Sequence, residues 1–196
     1  IGSGATAITI VPAIAEKAKH VVMIQRSPTY VVSGPSEDSI NKSLRKILPV
    51  KLTYFLIRWK NILYQSFTFF MARKYPERTK HKILELAKDE LGSDYDIDKH
   101  FTPSYKPWDQ RICLVPDSDL FEAINNKKAS VVTDTINEFQ SDGILLNSGE
   151  KVEADIIITA TGIELNSLND IHVSINNEKV NPNERLTYKG MMLSGV

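Results

Sequence analysis

The chain has 196 residues, with 24 Lys and Arg against 24 Asp and Glu, a formal net charge of zero, a hydrophobic fraction of 42% and a charged fraction of 24%. These are ordinary values for a globular protein, and they exclude the strong basic excess of a nucleic-acid binder. A single cysteine, Cys113, excludes an intramolecular disulfide framework, a CxxC redox pair and a thiolate-rich metal site. His20, His81, His100 and His172 show no metal-ligand spacing, so no metal is expected.

The chain runs from Ile1 straight into Gly2-Ser3-Gly4-Ala5-Thr6-Ala7. No basic region precedes an apolar run, so no signal peptide is read, and the expected location is cytoplasmic. A glycine-rich turn of this kind follows a buried strand, of which only Ile1 remains, and the other end, Lys189 to Val196, is apolar without a polar tail. The expectation is an internal piece of a larger protein.

Residues 8–19 carry apolar positions at helical spacing, with Pro12 placed in the first turns and lysines at the end. His20-Val-Val-Met-Ile-Gln25 then reads as a buried parallel strand. Turn, helix and strand make a βαβ unit. Ser36 is expected to cap a helix through Leu48, stopped by Pro49.

Residues 50–72 predict a long helix with the apolar stripe Leu52, Phe55, Leu56, Trp59, Ile62, Leu63 and Phe70. Lys51, Arg58, Lys60, Asn61 and Gln65 make it too polar for a bilayer span. The stripe reads as core or domain interface, or as a contact with a membrane surface or an oligomer partner, which would make the protein peripheral to the membrane. Pro76 opens another helix, Glu77 to Leu91, ended by Gly92. Residues 36–98 thus look like a helical insertion.

After a loop from His100 to Pro116, residues 119–126 predict a short helix. Strands follow at 131–133, 136–139, 144–146 and 155–159, with turn signals at Ser141-Asp-Gly143 and Asn147-Ser-Gly149. Residues 163–196 have hairpin-like polarity around Asn176-Asn177 and are assigned to a neighbouring domain. The expected fold is α/β: a Rossmann-like dinucleotide-binding domain with a helical insertion, a β-meander and a first strand largely missing.

Four stretches carry chemistry. Gly2-x-Gly4-x-x-Ala7 has the form of a phosphate-binding turn, with a tight turn at Gly2, close backbone approach at Gly4 and a helix N-terminus that attracts phosphate. The same glycines could instead serve packing alone. At the end of the next strand, where an NAD site wants Asp or Glu, stand Gln25, Arg26 and Ser27. Arginine pairs with a 2′-phosphate and serine adds a donor, which favours NADP, unless Arg26 is merely a solvated loop residue. The loop His100 to Pro116 is dense in aromatics, prolines and charge, and its Arg111 could stabilise negative charge on oxygen or pair structurally with Asp109. Ile156-Ile-Ile-Thr-Ala-Thr-Gly162 ends an apolar run in small residues that let a backbone or cofactor come close.

Ile1 to Thr6, Gln25-Arg-Ser-Pro-Thr29, His100 to Phe121 and Ala160-Thr-Gly162 together resemble the flavin-dependent Baeyer–Villiger monooxygenases, in the branch that contains the ethionamide-activating monooxygenase. The likeness covers nearly the whole chain, and Pro107 to Pro116 is its most specific part. It implies a protein of two dinucleotide-binding domains, for FAD and NADPH, with residues 1–162 the NADP-binding domain and 163–196 the start of the returning FAD-domain segment. The family fingerprint FxGxxxHxxx followed by Trp or Asp, and the FAD glycine motif, are not in this chain. By that resemblance Gly2, Ser3, Gly4, Ala5 and Thr6 cradle the NADPH pyrophosphate, and Arg26 and Ser27 take the 2′-phosphate. Arg111 is the active-site arginine, Gln110 stands where many relatives have a lysine for 2′-phosphate recognition, and Thr161 and Gly162 lie in the link between domains. FAD would be bound mainly outside this chain. The implied reaction uses O2 to oxygenate a ketone or a sulfide, a cycle this segment alone would not complete.

A rival reading is a non-catalytic NADP-binding or interaction module. A disulfide reductase on the same architecture is disfavoured by the lone Cys113.

Overall fold

The computed structural model describes residues 1–163, 173–181, 187–188 and 192–193. The rest of the 163–196 stretch, with His172 and most of the apolar C-terminal residues, lies outside them. Two compact units are formed, Ile1–Thr161 and Gly162–Val196.

The first unit is mixed α/β. Helix α1 (Ala5–Ala15) starts immediately after Gly4 and buries Ala7, Ile8, Val11 and Ala15, the i, i+4 stripe that points inward. It starts three residues earlier than its periodicity predicts. Pro12 therefore sits in the helix interior and not in the first turns, where it removes the N–H that would bond Ile8.

Strand β1 (Val21–Gln25) pairs in parallel with β4 (Ala129–Thr133), Val21 opposite Ala129 and Gln25 opposite Thr133. Met23 faces a core built with Ile8, Val11, Leu120, Phe121 and Val131, whereas Ile24 faces a second core of Ile144, Leu146 and Val152. Both faces are covered, which is why β1 is apolar at successive positions. On the other edge, Gly2 N–H donates to Ile24 at 2.8 Å. Ile1 in turn brackets residue 159, its amine donating to Ile158 O at 2.7 Å and its carbonyl accepting from Ala160 N–H at 2.7 Å. That is the hydrogen-bond pattern of a parallel bridge.

Residues 155–159 do not form the regular buried strand their composition predicts. Ile156 is 78% exposed, and among the described residues the backbone of the segment pairs with Ile1 alone. The apolar run satisfies the composition of a strand without the neighbours that define one.

Strand β2 (Tyr30–Gly34) pairs in parallel with β3 (Ile112–Pro116), Tyr30 opposite Ile112. The expected loop from His100 to Pro116 thus begins on a short helix, α5 (Ile97–Phe101), and ends as a strand whose Cys113 and Val115 are buried. After α6 (Asp119–Asn125) and β4, strands β5 (Ile136–Gln140), β6 (Gly143–Leu146) and β7 (Lys151–Glu153) make an antiparallel meander.

Between β2 and α5 come α2 (Ser39–Leu44), α3 (Val50–Lys74) and α4 (Pro76–Leu91). The cap of α2 is Asp38, which accepts from the N–H groups of Ile40 and Asn41, and not Ser36, whose hydroxyl and N–H both go to Asp117. A carboxylate one residue from the turn outcompetes the serine. Helix α4 buries Ile83 and Ala87 beneath β2 and α6. Among the described residues helix α3 buries Thr53, Ile57 and Ala72, so the stripe read as core or domain interface is not part of this unit's core and points outward.

In the second unit, β8 (Val173–Ile175) and β9 (Glu178–Val180) form an antiparallel hairpin. Asn176 and Asn177 both have positive φ, 52° and 69°, as a two-residue turn that follows strand twist requires. Strands β10 (Thr187–Tyr188) and β11 (Met192–Leu193) pair antiparallel.

Candidate nucleotide-binding site

The N-terminus of α1 is open. Gly4 holds the cap position in an extended conformation without a side-chain cap, and the first turn carries no acidic residue. The N–H groups of Ala5, Thr6 and Ala7 meet no acceptor among the described residues. A Cβ added to Gly4 would meet nothing within 4 Å. Unpaired donors and the positive end of the helix dipole therefore face open space, the arrangement that receives an anion.

Gly2 works differently. Its φ is +124°, and a Cβ there would lie 2.3 Å from the carbonyl oxygen of Ala160. Only glycine lets the chain pass between β1 and residues 158–160 before turning into α1.

The loop after β1 is tied to this turn. Ser3 Oγ donates to the Ser27 carbonyl at 2.9 Å, which brings Ser27 and the adjacent Arg26 beside the helix start. Arg26 is exposed and makes no ion pair among the described residues. Gln25 is 2% exposed and turns inward: its Nε2 donates to His100 O and to Thr133 Oγ1, both at 2.8 Å. The position that carries an acid in an NAD site is here a tie between α5 and the ends of β1 and β4. Beside that tie an open hollow of about 410 Å³ is lined by Lys99, Thr133, Asp134, Asn147 and Ser148.

The loop carrying Arg111 joins the same cluster through Thr29. Its hydroxyl meets Tyr105 Oη at 3.0 Å and donates to Arg111 O at 3.5 Å. Tyr30 Oη donates to Tyr105 O at 2.7 Å, and burial pushes its phenol up to about 12, so it stays a donor. Thr29 closes the Gln25-Arg-Ser-Pro-Thr29 stretch, and Tyr105 belongs to the aromatic, proline-rich loop from His100 to Pro116; neither carries a site role in the sequence reading. The structure joins the glycine turn, Arg26-Ser27 and the Arg111 loop by these bonds.

Asp109 does not pair with Arg111. It accepts from Arg73 of α3 at 2.6 Å, and Trp108, with a left-handed φ of 69°, stacks edge-on against Phe69 at 5.4 Å. The Arg111 guanidinium is left exposed, without an ion pair among the described residues, at the start of β3. Gln110 and Thr161 are also exposed, and Gly162 opens the second unit with φ +109°. Cys113 is buried, and burial pushes its thiol up, so it is not a reactive thiolate. Among the described residues no group of His, Cys, Asp and Glu could hold a metal ion.

No family model matches the chain. Compared with individual proteins, it is 50% identical over its full length to the FAD-containing monooxygenase EthA of Mycobacterium tuberculosis (strain ATCC 25618 / H37Rv), covering 40% of that protein. It is 46% identical, with the same coverages, to EthA of Mycolicibacterium smegmatis. Among solved structures, OTEMO in complex with FAD and NADP superposes with a TM-score of 0.55 over 79% of this chain and 36% of OTEMO, at 16% identity, which supports the fold. Over its full length the chain is similar to these FAD-containing monooxygenases, of whose length it spans about 40%.

Proposed function

We propose that this chain is the NADP-binding portion of an FAD- and NADPH-dependent monooxygenase that transfers one oxygen atom from O2 to a ketone or a sulfide. The observation that carries the reading is the uncapped N-terminus of α1, bridged by Ser3 to the loop that holds an unpaired Arg26. The bridging of Ile1-Gly2 between β1 and residues 158–160, Gly2 bonding Ile24 and Ile1 bonding Ile158 and Ala160, supports a Rossmann-like sheet whose crossover helix is α1.

In this reading the N–H groups of Ala5 and Thr6 and the Gly2–Gly4 backbone hold the pyrophosphate, and Arg26 and Ser27 hold the 2′-phosphate. Gln110 lies beside Arg111 on the loop facing that cluster and completes the polar lining. FAD, bound mainly by parts of the protein outside this chain, would supply the oxygen chemistry. Arg111 would orient the nicotinamide and stabilise negative charge developing on oxygen, a role open to it because its guanidinium is not consumed by Asp109. Residues 1–162 are then the NADP domain, and Thr161-Gly162 lead into the returning segment at 163–196.

The test is the visible absorption spectrum of the complete protein, before and after anaerobic NADPH. A yellow protein bleached faster by NADPH than by NADH is expected. A colourless protein that binds NADPH but takes up no added FAD would replace this reading with a nucleotide-binding module.

A further inference from the structure

From Ser39 to Pro76 the sequence contains no Asp or Glu, yet it holds eight of the chain's 24 Lys and Arg residues. The whole chain is neutral, so this 38-residue stretch concentrates its positive charge. Lys60 is paired with Asp38 and Arg73 with Asp109, and Lys42 reaches Glu37. Arg45, Lys46, Lys51, Arg58 and Lys74 have no acidic partner among the described residues.

The same stretch exposes its largest apolar side chains. On α3, Trp59 is 49% exposed, Phe70 57% and Leu63 64%, and Leu52, Phe55 and Ile62 stand beside them. At 3.6 residues per turn these positions form one continuous outward stripe, opposite the Thr53–Ile57–Ala72 side that packs inward. Lys51 and Arg58, seven residues apart, flank this stripe on one side, and Lys74 lies at its far end. Exposed Ile47 and Val50 extend the apolar surface toward Arg45 and Lys46.

We propose that the outward face of α3, with the α2–α3 connection, docks in the plane of an anionic lipid bilayer. Trp, Phe and Leu flanked by cations, with the neighbouring carboxylates of Glu37, Asp38 and Asp109 each already paired with a cation, match the headgroup boundary, where aromatic rings settle and each unpaired cation meets lipid phosphate. The core of a protein–protein contact is instead depleted in lysine and would need acidic partners. Among the described residues no helix is long and apolar enough to cross a membrane, so α3 lies on the surface. At its C-terminal end α3 holds the Arg111 loop through Arg73–Asp109 and Phe69–Trp108, so docking brings the candidate site to the bilayer.

The inference stands apart from the nucleotide reading and is tested by binding, not turnover. The complete protein is co-sedimented with phosphatidylcholine vesicles, with and without phosphatidylglycerol. Binding to the anionic vesicles at least tenfold tighter than to neutral ones is expected, and high salt should weaken it. Lys51→Gln, Arg58→Gln and Lys74→Gln together should weaken it about a hundredfold, at about fivefold per cation. Trp59→Glu should abolish it without changing the sedimentation mass. No binding, equal binding to both vesicles, or a triple variant that binds like the parent would overturn the proposal. A Trp59→Glu protein that changes from dimer to monomer would assign the face to a second copy instead. If Trp59→Glu does not fold, the triple variant decides.

Discussion

Ser3 Oγ donates to the carbonyl oxygen of Ser27 across 2.9 Å, and this bond fastens the loop after β1 to the start of α1. Both ends of the proposed nucleotide grip depend on it. Ser3→Ala is expected to weaken NADPH and NADH alike, by ~1 kcal/mol, the scale of one net hydrogen bond. Fluorescence titration with each nucleotide measures it. A loss confined to NADPH would mean that Ser3 touches the 2′-phosphate itself.

Arg26 should behave differently, because a guanidinium is useful there only if the ligand carries the extra phosphate. Arg26→Ala is expected to weaken NADPH more than NADH by ~1–3 kcal/mol. Equal losses for the two nucleotides would remove the 2′-phosphate assignment.

Gly2 and Gly4 look equivalent in the motif but not in space. Gly2→Ala forces a Cβ to within 2.3 Å of the Ala160 carbonyl at a φ of +124°, so the backbone itself must move. A loss of ~1–3 kcal/mol of folding stability, or more, is expected from denaturant unfolding. Gly4→Ala meets open space at φ −78° and should cost under ~1 kcal/mol in stability while still weakening nucleotide binding. Similar stability losses at the two positions would contradict the distinction.

Local grammar carried much of the fold. Pro76 and Gly92 bracket α4, the Asn176-Asn177 pair marks its hairpin, and Gly143 and Gly149 punctuate the meander, because each signal acts within a few residues. The β2–β3 pair was illegible: its partners lie about eighty residues apart, and a short strand beside a proline-rich loop has no periodicity of its own. The run at 155–159 failed for the opposite reason, since an apolar string states a preference for burial but names no neighbour. Helix α3 shows the limit most sharply. A stripe at helical spacing reports that one face is apolar, and nothing in the spacing says whether that face meets the core, as it does in α1, or the outside. In the site, the glycine turn and Arg26-Ser27 were readable as a motif, whereas the assignment of Asp109 to Arg73 needed three dimensions.

His100 gives a pH signature. Burial, helped by the neighbouring Lys99 cation and opposed by Asp96, holds its imidazole below the ordinary value, while Nδ1 sits 2.8 Å from Thr133 Oγ1. The unfolded chain therefore takes up a proton at a pH where the folded chain still refuses one. Stability should be full above the unfolded value, about 6.5, and fall as the pH drops from there toward the lower folded value. Denaturant midpoints between about pH 7.5 and 5.5 should show this slope, and His100→Gln should flatten it. The same slope in both proteins would assign the titration elsewhere.

Arg111 is the sharpest test of chemistry, because its guanidinium is exposed, permanently charged and free of Asp109. If it stabilises charge on oxygen, Arg111→Ala in the complete protein should keep NADPH-dependent flavin bleaching and lose oxygenated product. A loss of one preorganised charge-stabilising group costs ~2.7–4 kcal/mol, or about 10²–10³ in rate. Arg111→Lys restores the charge but not the planar fork, so it should recover the product only in part. Following product by chromatography and NADPH by absorbance separates the two events. Product at the parent rate in Arg111→Ala would make the residue structural, and equal loss of bleaching and product would place it in nucleotide binding alone.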